Sequence, residues 1–259
     1  MTDEKITSDH RDYIAALATG LDVLGAFDAQ HRSMTLSQVA ERLNIDRAKA
    51  RRFLLTLHAL GYIQRDGRLF ALTPKVLSLA HAYTVGDDYL AVVEHYLKEV
   101  TQTLGESASL GKLEGQHVVY VARSPAAHRL MSINITTGTR LPAAYTSMGR
   151  VLVAGLDSSE QAAWLDGVVL SPHTRTSIIE KDVLKEALEQ SRGEGFSIVD
   201  QELEEGLRSI AVPVFSGKGE LIGAMNISTN ASRVSMEHLT ETCLPVLQQA
   251  AAKIKDDTR

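Results

Sequence analysis

Apolar residues in the first third of the chain recur at helical spacing, in short runs separated by caps and turns. Ile14, Leu17, Ala18, Leu21, Leu24 and Phe27 predict an amphipathic helix with one core-facing stripe. Leu36, Val39, Ala40 and Leu43 fall at i, i+3, i+4 and i+7, and Thr35 with Gln38 gives the capping-box pattern that opens this second helix. Asn44 and Ile45 leave only a short turn before Asp46, an N-cap. It starts a third run in which Ala50, Phe53, Leu54, Leu57 and Leu60 share a face. Gly61 stops that helix, and residues 62–65 and 68–72 flank Asp66-Gly67, a hairpin turn signal. Two helices joined by a tight turn and followed by a hairpin predict a winged helix-turn-helix, with the first helix completing its core.

Thr73-Pro74 reads as an N-cap with proline at the first helical position. It begins a linker helix through Val76, Leu77, Leu79, Ala80 and Tyr83 that Gly86-Asp87-Asp88 breaks. Beyond it the pattern alternates between types. Helices are expected over about 90–104, 146–156, after the Asp157/Ser158 cap, and over about 180–192, ended by Gly193. Strands are expected over 107–113, 117–122, 129–136, 196–199, 209–215 and 221–228, and a terminal helix carries Leu239, Cys243, Val246, Leu247, Ala250 and Ile254 on one face. This mixture predicts an α+β domain around an antiparallel sheet. The expected division is 1–72 as winged helix-turn-helix, 73–88 as linker helix and 89–259 as the second domain, in keeping with a chain of 259 residues.

Charge changes the picture from fold to partner. Between Arg42 and Lys75 there are eight Lys/Arg against two acids, +6, whereas residues 86–259 hold 16 basic and 23 acidic residues, −7. A positive patch on an otherwise acidic chain points to a polyanion. Opposite the apolar stripe of the third helix lie Lys49, Arg52, Leu55, Thr56 and Ala59, with Arg47 and Arg51 on its flanks and Arg65 and Arg68 on the hairpin. Arg47, Lys49, Arg51, Arg52, Arg65 and Arg68 are the candidate contacts to double-stranded DNA.

Catalysis finds no support. The nine histidines are scattered, and no His-x-x-x-His, Cys-x-x-Cys or Gly-x-Ser-x-Gly spacing occurs, so no enzyme, metal site or cofactor is expected. Gly217, Gly219 and Gly223 lie where a hairpin turn is predicted rather than a phosphate loop. Cys243, the single cysteine, sits on an apolar helix face and is expected to be a buried thiol. With no signal segment or long apolar run, a cytoplasmic protein without membrane contact is expected.

The segments 36–42 (LSQVAER) and 53–62 (FLLTLHALGY) resemble the winged-helix signature of the IclR family of bacterial transcriptional regulators. In the second domain 138–142 (GTRLP), 146–154 (TSMGRVLVA) and 200–214 (DQELEEGLRSIAVPV) resemble the effector domain of the same family. The resemblance spans essentially the whole chain and implies a GAF-like, α+β effector-binding domain and operator DNA as partner; the apolar linker helix from Val76 to Tyr83, with one head per chain, predicts a homodimer or dimer of dimers. Residues 145–150 are similar more particularly to regulators of protocatechuate, 4-hydroxybenzoate and β-ketoadipate catabolism. The implied effector is a small carboxylate, an aromatic acid or its ring-cleavage product, with a 2-oxo acid such as glyoxylate or pyruvate as the alternative. An enzyme built on a GAF-like body is the reading set aside. Ser147, Met148 and Gly149 open a predicted helix, where free N–H groups suit a carboxylate. The resemblance adds Asp200, Ser209, Asn226 and Ser228 as polar liners, with Asp200 a turn residue on the alternative view. Met148 exceeds the small residue usual at its place, which implies a larger or more apolar ligand. Arg150 is read either as a salt-bridge residue or as a ligand contact.

Overall fold

The computed structural model describes residues 9–28, 30–86, 89–126 and 135–258. The chain forms two compact units, Met1–Asp87 and Asp88–Arg259.

The first unit runs α1 (Ala15–Gly25), β1 (Ser33–Thr35), α2 (Leu36–Arg42), α3 (Arg47–Ala59), β2 (Ile63–Asp66), β3 (Leu69–Leu72), a 3-10 turn (Pro74–Val76) and α4 (Leu77–Gly86). Its helices begin where side chains satisfy the free N–H groups. The Thr35 hydroxyl accepts from the Gln38 N–H while Gln38 reaches back to the Thr35 N–H, and Asp46 Oδ1 accepts from the Lys49 N–H at 2.7 Å. Antiparallel β2 and β3 form the wing. β1, too short to show a two-residue period, adds a third strand beside β3. Val23, Phe27, Met34, Val39, Leu54, Leu57, Ile63 and Phe70 close the core.

The α1 stripe is a correction to the sequence expectation. Ile14, Leu17 and Leu21 are 65%, 61% and 56% exposed, and α1 meets the core through Val23, Leu24 and the residues just beyond its C-terminus, Ala26 and Phe27. So small a core is filled from one end of the helix, leaving the rest of the apolar stripe uncovered within this unit. Leu60, expected on the buried face of α3, is exposed too, as are Leu77 and Leu79 of α4.

The second unit runs α5 (Tyr89–Leu104), β4 (Ser107–Glu114), β5 (His117–Ser124), β6 (Arg140–Pro142), a 3-10 turn (Ala143–Tyr145), α6 (Ser147–Ala154), α7 (Ser158–Gly167) and α8 (Lys181–Glu194). β7 (Ser197–Asp200), β8 (Leu207–Phe215), β9 (Leu221–Asn230), α9 (Met236–His238), a π turn (Leu239–Cys243) and α10 (Leu244–Asp257) follow. The strands pair antiparallel in the order β6-β5-β4-β9-β8-β7. One face, with Leu110, Ile210, Val212, Met225 and Ile227, packs with α5 and α10. Val118, Tyr120, Ala211 and Ala224 occupy the other, with Met148 and Leu152 of α6, Trp164 of α7, and Leu184 and Leu188 of α8.

Three expectations shift. Of the strand expected over 129–136, residues 129–134 lie outside the described residues, and 135 and 136 are not in a strand. α8 continues through Gly193 and ends at Gly195, whose φ of +74° is the left-handed geometry that closes a helix. Cys243 falls in a π turn set within the terminal helix, which runs without a break from Met236 to Asp257. It is buried as expected, and burial pushes its thiol up to about 11. Among the described residues no helix is long and apolar enough to cross a membrane.

Candidate functional site

In the first unit Arg47, Arg51 and Arg52 of α3 are exposed and Lys49 is half-buried, and none of them forms an ion pair among the described residues. Other cations nearby are engaged. Arg42 pairs with Asp28 at 2.5 Å, and Lys75 donates to the Leu60 carbonyl at 2.7 Å while lying 4.8 Å from the Tyr62 ring. On the wing, Arg65 Nε donates to the Gly67 carbonyl at 2.9 Å and its guanidinium stands 5.7 Å from the Phe70 ring, which fixes its stem; Arg68 is exposed. Capped by Asp46, α3 presents its cations on the same unit as the basic hairpin.

In the second unit the sheet face beneath α6 carries an unusual polar row. Cross-strand pairing sets Val199 beside Ser209, Ser209 beside Ser228, and Ser228 beside Ser107; one step along β9, Asn226 stands beside Ser109. All five of these polar residues are buried. Buried polar groups are retained where they find partners. Asn226 Nδ2 donates to Ser228 Oγ at 3.2 Å, but Asn226 Oδ1 has no protein partner among the described residues. Tyr120, Leu141, Tyr145, Thr146, Val199, Leu203, Leu207, Ser209, Asn226 and Ser228 line a cavity here, closed down to about 10 Å³, room for one water. Burial pushes the Tyr120 phenol up to about 12, so it remains a neutral donor.

Ser209, Asn226 and Ser228 thus come together as the sequence suggested. Ser147, Met148 and Gly149 do begin α6, directly after the cavity-lining Thr146. Thr146 Oγ1 already accepts from the Gly149 N–H at 3.1 Å, leaving the N–H groups of Ser147 and Met148 at the open end of the helix. The Ser147 hydroxyl is buried and unpartnered among the described residues.

Two residues differ from expectation. Asp200 pairs across the strands with Arg208, not Ser209, so alternation turns it to the opposite face, where its two oxygens accept from Arg208 at 2.8 and 2.9 Å. Val199 takes the cavity position instead. The Met148 side chain is fully buried against Gly111 of β4 and fills the core, so its size does not enlarge the cavity.

Arg150 resolves as a salt-bridge residue. It is buried, donates to Glu202 Oε2 at 2.6 Å and to the Ala144 carbonyl at 3.1 Å, and Glu202 Oε2 also accepts from the Ile178 N–H at 3.2 Å. Thr174, Thr176 and Ser177 donate to the carbonyls of Gln201 and Glu202 at 2.6 to 2.8 Å, fastening this segment to the loop that carries Leu203 over the cavity. Tyr120 could have been found from its alternation with Val118, which shares its face. Leu203 and Leu207 sit in or beside a loop that periodicity does not reach.

Residues 16–67 match the IclR helix-turn-helix domain, and residues 81–256 match the bacterial transcriptional regulator IclR C-terminal domain. The chain belongs to the IclR family: it is a transcriptional regulator and not an enzyme. It is 40% identical over 240 residues to the Pca regulon regulatory protein of Pseudomonas putida, covering 93% of this chain and 82% of that one. Among solved structures, a transcriptional regulator from Rhodococcus sp. RHA1 matches with a TM-score of 0.80 at 43% identity, over 95% of this chain and 98% of that one. The inducer-binding domain of a double mutant of PobR from Acinetobacter, in complex with 3-hydroxybenzoic acid, matches with a TM-score of 0.60 at 29% identity, over 64% of this chain and 97% of that domain.

Proposed function

We propose that this regulator controls genes of aromatic-acid catabolism, of the protocatechuate and β-ketoadipate kind, in response to a small carboxylate held in the second unit. The observation that carries the effector reading is the buried polar row on an otherwise apolar sheet face, converging on a cavity beside the start of α6. The ligand carboxylate is assigned to the free N–H groups of Ser147 and Met148, with polar substituents toward Ser209, Asn226 and Ser228. Kinship with a Pca regulon regulator and with a domain that binds 3-hydroxybenzoic acid supports an aromatic acid. The tightly closed cavity favours the second reading, a 2-oxo acid such as pyruvate or glyoxylate; an aromatic ring enters only if the Leu203 loop moves outward. The protein acts in the cytoplasm, where bacterial operators lie.

We infer that it binds DNA as a homodimer or dimer of dimers, because Ile14, Leu17, Leu21, Leu77 and Leu79 leave apolar surface exposed on a domain with a single recognition helix. A footprint should then show two half-sites about 34 Å apart or a multiple of that. Lys49→Ala and Arg52→Ala should each cost about 1 to 3 kcal/mol on the operator and relax its specificity. Arg65→Ala and Arg68→Ala should weaken all sequences alike, each lost phosphate contact lowering the salt-dependence slope by about 0.9. Protection of a single half-site would refute the pairing, and unchanged affinity in all four variants would remove α3 and the wing from DNA binding.

A further inference from the structure

We infer that Arg123 of β5 is the residue that reads the effector's negative charge, its guanidinium receiving a ligand carboxylate at the β5 end of the polar row. This rests on the effector reading above but seats the carboxylate on a cation that the sequence did not single out, leaving the Ser147 and Met148 N–H groups to the ligand's other oxygen atoms.

The strand register brings Arg123 to the row. Arg123 stands directly beside Ser109 of β4, and Ser109 directly beside Asn226 of β9, so the three project from the same face across adjacent strands. Neighbouring strands lie about 4.8 Å apart, well within the reach of an arginine side chain. Tyr120, which lines the cavity, shares this face: beyond the bulge at Leu110/Gly111 it stands beside Gly111, two residues on from Ser109.

The surroundings of Arg123 are those of a cation lacking its anion. It is partly buried, and Arg123 Nη1 donates to Ser109 Oγ at 3.3 Å. No carboxylate pairs with it among the described residues, and residues 127–134, which follow its strand closely, contain neither Asp nor Glu. Burial holds its guanidinium below the ordinary arginine range, and the titratable group acting on it is the Tyr120 phenol. Arg150 and Arg208, the fully sheltered arginines of the same unit, each have an acid of their own, Glu202 and Asp200. A guanidinium drawn out of water is stabilised by two parallel N–H donations to a carboxylate. The unpartnered Asn226 Oδ1 beside it accepts a proton donor, so the arrangement suits an acid that also carries a hydroxyl.

The test is calorimetric titration of the full chain with 4-hydroxybenzoate, β-ketoadipate and pyruvate, each alongside its neutral methyl ester. For the acid that binds wild type, Arg123→Met should weaken affinity by about 10- to 100-fold and Arg123→Lys by less, while the ester binds wild type and Arg123→Met within about two-fold of each other. Circular dichroism and DNA affinity establish that a variant is folded; should Arg123→Met fail this, Arg123→Gln takes its place under the same expectations. Acid affinity unchanged by the loss of the guanidinium, or acid and ester weakened equally, overturns this assignment alone. Wild type that binds none of the three acids overturns the effector reading and this inference with it.

Discussion

Gly149→Ala is expected to lower the stability of the second unit by about 3 kcal/mol or more, the upper end of overpacking effects. A Cβ at this position would lie 2.1 Å from the Ala143 carbonyl oxygen and 2.4 Å from its Cα. These are backbone atoms of the 3-10 turn preceding α6, so no side-chain rotation relieves the clash, and the start of α6 must move. Gly193→Ala is the control. Gly193 lies in α8 with nothing within 4 Å of its added Cβ, so alanine there should stabilise by about 0.5 to 1 kcal/mol. Urea unfolding followed on the second unit checks both; a loss under about 1 kcal/mol at Gly149 would show that the close approach is not rigid.

Arg150→Met is expected to cost about 3 to 5 kcal/mol, because it leaves the Glu202 carboxylate buried without its cation. The loss should be local as well as global. Glu202 also holds the Ile178 N–H, and its carbonyl anchors Ser177, so the segment over the cavity loosens together with the ion pair. Arg150→Met combined with Glu202→Leu should recover much of the stability, since an apolar pair carries no stranded charge. Thermal unfolding and limited proteolysis between 170 and 206 measure the two effects. A double variant no more stable than Arg150→Met would show that the charge pair is not what fastens the segment.

How much of this was legible in the sequence follows from which signals are local. The winged helix could be read because each part announces itself within a few residues: Thr35 and Asp46 cap, Gly61 stops, and Asp66-Gly67 turns. The exposed stripe of α1 could not be told from a buried one, since spacing records only that Ile14, Leu17 and Leu21 share a face, not what that face meets. Asp200 fails by a single residue of strand parity, which only pairing with Arg208 reveals. Met148 was visible as large but not as turned into the space left by Gly111. Arg123 was invisible for the same reason. Its neighbours in space, Ser109 and Asn226, are distant in sequence, and the bulge at Leu110/Gly111 breaks the simple alternation across β4 and β5.

An acid in the cavity is expected to alter the grip of α3 on DNA. Coupling of this kind amounts to a difference in affinity between two arrangements of the protein, typically about 5- to 150-fold. The most direct measurement is the affinity of the full chain for an operator fragment selected from genomic DNA, with and without 4-hydroxybenzoate, protocatechuate, β-ketoadipate, pyruvate or glyoxylate. It is made on wild type and on Ser209→Leu, whose side chain fills the cavity. At least one acid should change wild-type affinity by about five-fold or more and leave Ser209→Leu unmoved. Operator binding that no acid alters, or a response that survives Ser209→Leu intact, would contradict the account.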